Sequence, residues 1–140
     1  MTEICNVKVC YLRVEHDGQY DNLKEFIEDG NNVYIGRSGR VNVDGSMFGF
    51  KQSIWNNPYS ISEYGRKKCL KMYKQYIIQK IVDEKLYDEL LELDGKMLGC
   101  WCSPEKCHGD ILIKILKRYN REGKSWIKQK ASKYRQKQQL

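Results

Sequence analysis

Three of the six cysteines and one of the two histidines fall within nine consecutive residues, Cys100 to His108, of this 140-residue chain. Scarce, reactive residue types gathered in one turn are a site signal, because packing alone seldom requires them. One chemistry for the turn is metal binding. Cys100, Cys102, Cys107 and His108 form a Cys3His set, the right donors for tetrahedral zinc. Cys100 and Cys102 share one face of a predicted strand. Cys107 and His108, however, are neighbours on a predicted helix, ~100° apart at ~3.6 residues per turn, and the spacing is not one of the usual paired zinc patterns. A second chemistry is a metal-free polar pocket. Cys107 at a helix N-terminus would have a lowered thiol pKa, His108 would serve as acid, base or donor, and Asp110 would orient it. The amides at such a helix start also favour a phosphate. Arg37 and Arg66 are then candidates to bind the same anion, with Asn57 reading a base or sugar edge and Cys102 beside them. A third reading is plain packing, since cysteine behaves as a small buried hydrophobe. That reading covers Cys5, Cys10 and Cys69, and extends to Cys100.

The elements that must position these residues are legible in outline. Ile4 to Val14 is rich in Val and Ile and reads as a first strand. His16-Asp17-Gly18 is a turn, and Asp21 is placed to cap a short helix over Asn22 to Glu28 with Leu23, Phe26 and Ile27 inward. Val33 to Ile35 reads as a second strand running into Gly36 and Arg37. From Gly36 to Tyr59 no periodicity is sustained, so the stretch reads as a long loop, anchored by Phe50 and Trp55. Ser60 or Ser62 is placed to cap a long helix bearing Leu70, Tyr73, Ile77 and Ile81 on one face. A second helix follows, with Leu86, Leu90 and Leu93. Met97 to Trp101 has buried-strand character, with Trp101 expected in the core. Ser103-Pro104-Glu105 then has the form of a helix start, continued by Ile111, Leu112, Ile115, Leu116 and Tyr119. Strands alternating with helices point to an α/β domain with a mainly parallel sheet, over residues 1–120. Such sheets bind ligands beyond the carboxyl ends of their strands. Arg37 and the Cys102–His108 turn both follow a predicted strand, so they are expected to share one cleft.

Several of these residues recur as a pattern: Tyr34-Ile35-Gly36-Arg37; Ser53 to Tyr59 with Asn57-Pro58; Arg66 before a tyrosine-rich helix; then Gly95 to Cys102, Pro104, and Cys107-His108-Gly109-Asp110. Over about Val33 to Leu116 the chain resembles the family catalogued as domain of unknown function 4326. The resemblance implies a small Rossmann-like, three-layer domain with a Cys-His pair at a helix start, found in bacteria, phages, large DNA viruses and some eukaryotes. It implies a fold and a pocket and no particular reaction. The chain departs from the pattern at Ser38, where Pro is frequent, at Tyr59, where Phe is common, and in its basic C-terminal end.

Charge is unevenly distributed. From Lys114 onward there are ten Lys or Arg against Glu122 alone, a net of +9, while the whole chain stands at +7. The residues before Lys114 are therefore slightly acidic. Residues 121–140 read as a basic extension, either a solvated terminus or an arm for nucleic acid or another polyanion through Lys124, Lys128, Lys130, Lys133 and Arg135, with Trp126 and Tyr134 as stacking candidates. No apolar run reaches membrane-spanning length and no secretion signal is present. A soluble, intracellular (cytoplasmic) protein with reduced thiols is expected. The glycine patterns of dinucleotide folds and phosphate loops are missing, which argues against an ordinary dinucleotide oxidoreductase or NTPase. Two function classes stand. One is a cleft that binds, and in one version processes, a nucleotide-like or phosphorylated ligand. The other is a non-enzymatic nucleoprotein or virion module using the basic tail, with the Cys/His turn as structural zinc.

Overall fold

A computed structural model of the chain describes residues 1–8, 12, 20–102 and 105–138. Its centre is a three-stranded parallel sheet in the order β1 (Glu3–Asn6), β5 (Met97–Cys100), β2 (Asn32–Tyr34). Leu98 lies opposite Ile4 on one side and Val33 on the other. The middle strand, Met-Leu-Gly-Cys, is apolar throughout, as a strand covered on both faces should be. Side chains alternate between the two faces. Leu98, Ile35 and, at its edge, Ile4 and Val33 join a large cluster with the helices α3 (Arg66–Asp83), α5 (His108–Glu122) and α6 (Lys124–Gln138). Cys5 joins a smaller one with Val7, Leu12 and Leu23 and Phe26 of α1 (Leu23–Glu28). No helix among the described residues is long and apolar enough to cross a membrane.

Two residues fix the close packing around β5. A Cβ at Gly99 would stand 2.5 Å from the Phe26 ring and 2.6 Å from Val7 Cγ1, so the α1 face needs glycine there. The Thr2 hydroxyl donates to Leu93 O and accepts from Gly95 N, both at 3.0 Å, which ties the start of β1 to the turn entering β5.

Several sequence expectations change. The first strand ends at Asn6, well before Val14: Asn6 Oδ1 accepts from Lys8 N at 2.9 Å, an Asx turn that diverts the chain. Leu12 is helical, while the expected His16-Asp17-Gly18 turn lies outside the described residues. Asn22, rather than Asp21, caps α1, accepting from Glu25 N at 3.0 Å. The stretch expected to be one long loop contains an antiparallel hairpin, β3 (Gly39–Val43) and β4 (Ser46–Phe50). Its two-residue turn, Asp44-Gly45, has φ of 51° and 86°, the pair of positive values a type I′ turn requires.

The long helix expected after Ser60 is divided. Its first turn is α2 (Ile61–Tyr64), and Gly65 at φ 79° separates it from α3. After α4 (Tyr87–Leu91) and β5, the last strand stops at Cys100 and leaves Trp101 37 % exposed rather than in the core. The next helix begins at His108, although the Ser-Pro-Glu signature placed its start at Ser103. Ser103 and Pro104 lie outside the described residues, and Glu105 is not helical. The cap lies downstream: Cys107 Sγ accepts from Gly109 N while Asp110 Oδ2 accepts from Cys107 N at 2.9 Å. Finally, the basic end is not a loose arm. Residues 124–138 form α6, which buries Trp126, Ile127, Ala131 and Tyr134 against α3 and α5.

Candidate functional site

A cleft of about 430 Å³ opens beyond the carboxyl ends of β2 and β5. It lies in the size range of small-molecule sites, roughly 300–1,000 Å³. Arg37, Asn57, Cys100, Cys102 and His108 all line it, so the Arg37 loop and the Cys102–His108 turn do share one cavity. Cys107, Asp110 and Arg66 are not among its lining residues.

Arg37 follows β2 and reaches across to the Asn57–Tyr59 turn. Its Nε and Nη2 donate to Asn57 O at 3.1 and 3.0 Å, and Nη2 also donates to Tyr59 O at 3.0 Å. Two of its three nitrogens therefore hold the loop. Nη1 makes no hydrogen bond among the described residues. Arg40, from the hairpin, adds a second exposed cation to the cleft's lining.

His108 is buried at the first position of α5, edge-on to the Tyr73 ring at 5.1 Å. Its Nε2 lies 2.6 Å from Ile35 O. A carbonyl only accepts, so Nε2 bears the proton and Nδ1 the lone pair. Burial holds this imidazole below its ordinary pKa against the raising effect of the Ile35 bond; the Arg37 charge adds a smaller lowering and Asp110 a still smaller rise. His108 is thus a neutral hydrogen-bond acceptor near pH 7.

Cys107 is the opposite of the expected reactive thiolate. It is 1 % exposed, and Cys100 Sγ stands 3.3 Å from its sulfur. The Cys100 contact and burial push the Cys107 thiol well above its usual range, outweighing the lowering by Gly109 N–H. Its role is the helix cap, with Asp110 as reciprocal partner. Arg66 is likewise committed elsewhere, donating to Lys106 O at 2.5 Å and pairing with Glu105 at 2.6 Å. It braces the segment before α5 and does not share an anion with Arg37. The Asn57 side chain is a turn element: Oδ1 accepts from Tyr59 N at 2.9 Å and Nδ2 donates to Cys69 Sγ at 3.2 Å. Among the described residues, no group of three or more His, Cys, Asp or Glu side chains is arranged to hold a metal. The Cys100–Cys107 sulfur contact and the His108–Ile35 bond occupy most of the set expected for zinc.

The cleft also has an aromatic wall that the sequence reading did not include. Trp101 Nε1 donates to Tyr34 OH at 2.9 Å, and Tyr34 OH donates to Arg37 O at 2.7 Å. Phe50 packs edge-on to Tyr34 at 5.2 Å and tilted against Trp101 at 6.5 Å. The signal that could have found Phe50 and Arg40 is Asp44-Gly45 between alternating apolar residues, a hairpin turn that folds both toward the cleft.

Of the basic residues expected to touch nucleic acid, Arg135 is ion-paired with Asp83, and Lys124 and Lys128 border a hollow with Lys85, Tyr87 and Asp88. Lys130 lies over the Tyr134 ring at 5.5 Å, and Lys133 is exposed.

Residues 19–118 match the model of the family described as a domain of unknown function (DUF4326). An uncharacterised protein of Acanthamoeba polyphaga mimivirus is 36 % identical over 95 residues, covering 61 % of this chain and 66 % of its own length. An uncharacterised 12.4 kDa protein from the nrdA-td intergenic region of Enterobacteria phage T4 is 33 % identical over 67 residues, covering 47 % of this chain and 62 % of its own. The chain thus spans a little under two thirds of each of these relatives. No solved structure matches it significantly.

Proposed function

The chain belongs to the DUF4326 family, and from that premise and the cleft's chemistry we propose that it binds a nucleotide-like or phosphorylated small molecule. The observation behind this reading is one cleft lined by both an aromatic pair, Trp101 with Phe50, and two cations, Arg37 and Arg40. A heterocycle would lie against the indole, gaining stacking and burial. A phosphate would sit at Arg37 Nη1 and the Arg40 guanidinium. The neutral His108 Nδ1 would accept a hydrogen bond from a ligand hydroxyl or amine, and any proton transfer on the ligand would run through it.

The fold reading goes with this. We take the parallel sheet, with one cluster on each face, as a small Rossmann-like three-layer domain, whose ligands belong at the strands' carboxyl ends. Thiols rather than disulfides at Cys100 and Cys107 go with a reducing, intracellular setting.

The test is thermal shift with nucleosides, mononucleotides and inorganic phosphate. A ligand at 100 times its Kd stabilises by about 2.7 kcal/mol, which is ~5–10 °C for a domain of this size. We expect a mononucleotide to give the largest shift. Arg40→Ala should reduce it to the nucleoside level, and Trp101→Ala to the phosphate level. No shift with any of these compounds, or shifts unchanged in both variants, would overturn the proposal.

A further inference from the structure

On residues that share nothing with the cleft, α5, α6 and Lys74 of α3 enclose a second concavity of about 390 Å³. Lys74, Lys114, Lys117, Arg118 and Arg121 line it together with Ile111, Ile115 and Trp126, and no carboxylate is among its lining residues. Lys114, Lys117, Arg118 and Arg121 recur at three- and four-residue intervals. They therefore form one row along ~10 Å of helix.

The nearby acid is Glu122, 2.5 Å from Arg118 Nε and 3.6 Å from Arg121 Nη2. It offsets part of two charges. Lys74, Lys114 and Lys117 have no ion-pair partner among the described residues. Lys130 of α6 feels the same array: after burial, the charges of Lys74, Lys133, Arg118 and Lys137 hold its ammonium below the usual range. Holding so many like charges together costs stability that a bound polyanion would return.

A second, independent feature lies in the groove wall. Trp126 is 9 % exposed, its ring lies under the Arg118 guanidinium at 4.5 Å, and its indole N–H is buried without an acceptor. A buried donor without a partner is costly. The groove thus gathers cations around an indole with no carboxylate in its lining.

We propose that this groove binds the phosphodiester backbone of a nucleic acid, without reading base sequence. A concave row of cations suits a charged strand better than a flat bilayer. Among the described residues, the exposed large apolar ones are Met1, Met47, Ile54, Leu91 and Trp101, and none of them lines the groove. The apolar lining of the groove, Ile111, Ile115 and Trp126, is buried or half-buried, so its exposed chemistry is that of the cations, unlike the exposed apolar face that inserts into a membrane. The contact surface is thus the α5–α6 groove with Lys130 and Lys133 at its flank, rather than Lys124, Lys128 or Arg135.

The experiment is fluorescence anisotropy with labelled single-stranded and duplex oligonucleotides from 50 to 300 mM salt. Lys114→Gln with Lys117→Gln should weaken binding about tenfold and lower the salt slope by about 1.8 for duplex or about 1.4 for single strands, at ~0.9 and ~0.7 per contact. Lys24→Gln with Lys51→Gln, on α1 and just after β4 and outside the groove's lining, serves as control and should change affinity less than twofold. Absence of binding by the wild type at 50 mM salt would overturn the proposal, as would equal losses in both variants. So would displacement by poly-glutamate of matched charge as effective as unlabelled oligonucleotide.

Discussion

Ending the chain at Gly123 should unfold it. The deletion removes α6 and with it four buried residues, Trp126, Ile127, Ala131 and Tyr134, from the main core cluster. Truncating a buried Trp costs ~3–5 kcal/mol and a buried Ile ~2–5 kcal/mol. Trp126 and Ile127 alone thus account for about 5–10 kcal/mol, against a total stability of ~5–15 kcal/mol for an ordinary domain. Tyr134 and the uncovered face of α3 add to the loss. The assay is urea and thermal unfolding of residues 1–123 beside the full chain, followed by far- and near-UV circular dichroism. We expect no cooperative transition above ~30 °C and a lost near-UV signal. A cooperative transition within ~3 °C of the full chain would refute the packing argument. The charge-only variant Lys128→Gln, Lys133→Gln, Lys137→Gln keeps the buried stripe and should stay within ~0.5 kcal/mol per site. The role of the basic residues therefore has to be tested by changing charges, since deletion destroys the core.

Three other outcomes follow from particular contacts. Gly99→Ala places a methyl about 2.5 Å from Phe26 and Val7, and should cost ~1–3 kcal/mol as overpacking in a urea midpoint; an unchanged midpoint would contradict the β5–α1 packing. His108 in the folded state has a pKa below its unfolded value, so below about pH 6.5 the unfolded chain takes up the proton first and stability falls with pH. The slope is at most ~1.4 kcal/mol per pH unit. His108→Gln should flatten that part of the profile between pH 7.5 and 5.5, and an identical profile would count against a buried neutral imidazole. In a Cys10→Ser background, Cys102, which is half-buried at the cleft, should react first with a disulfide reagent, while the buried Cys100 and Cys107 react only on unfolding. Fast labelling of Cys107 would sink its assignment as a helix cap.

Where periodicity and local chemistry agreed, the chain was readable in advance. The strands near Ile4, Val33 and Leu98, the inward face of α3 and the meeting of Arg37 with His108 all followed from apolar runs and a rule about parallel sheets. The misreadings have physical causes. Ser103-Pro104-Glu105 is a good helix start by composition, but the helix is capped by the reciprocal Cys107–Asp110 pair and starts at His108. Cysteine is rarely considered as a cap, so the sequence pointed to thiolate chemistry where the folded chain buries a neutral thiol. The basic end hid Trp126, Ile127, Ala131 and Tyr134 among lysines, and only the packed partner helix turns them into a stripe. Arg37 and Arg66 looked equivalent as anion ligands, because sequence does not reveal which backbone carbonyls already occupy a guanidinium.

The most direct test of the cleft assignment is a ¹⁵N–¹H spectrum titrated with a mononucleotide, because the three tryptophans report on three different places. Trp55 is in the core, Trp101 lines the cleft and Trp126 lines the basic groove. The account predicts that the Trp101 indole and the Gly36–Val41 amides shift together and saturate, with the Trp55 and Trp126 indoles unmoved. Shifts confined to Trp126, or no saturable shift at all, would contradict it.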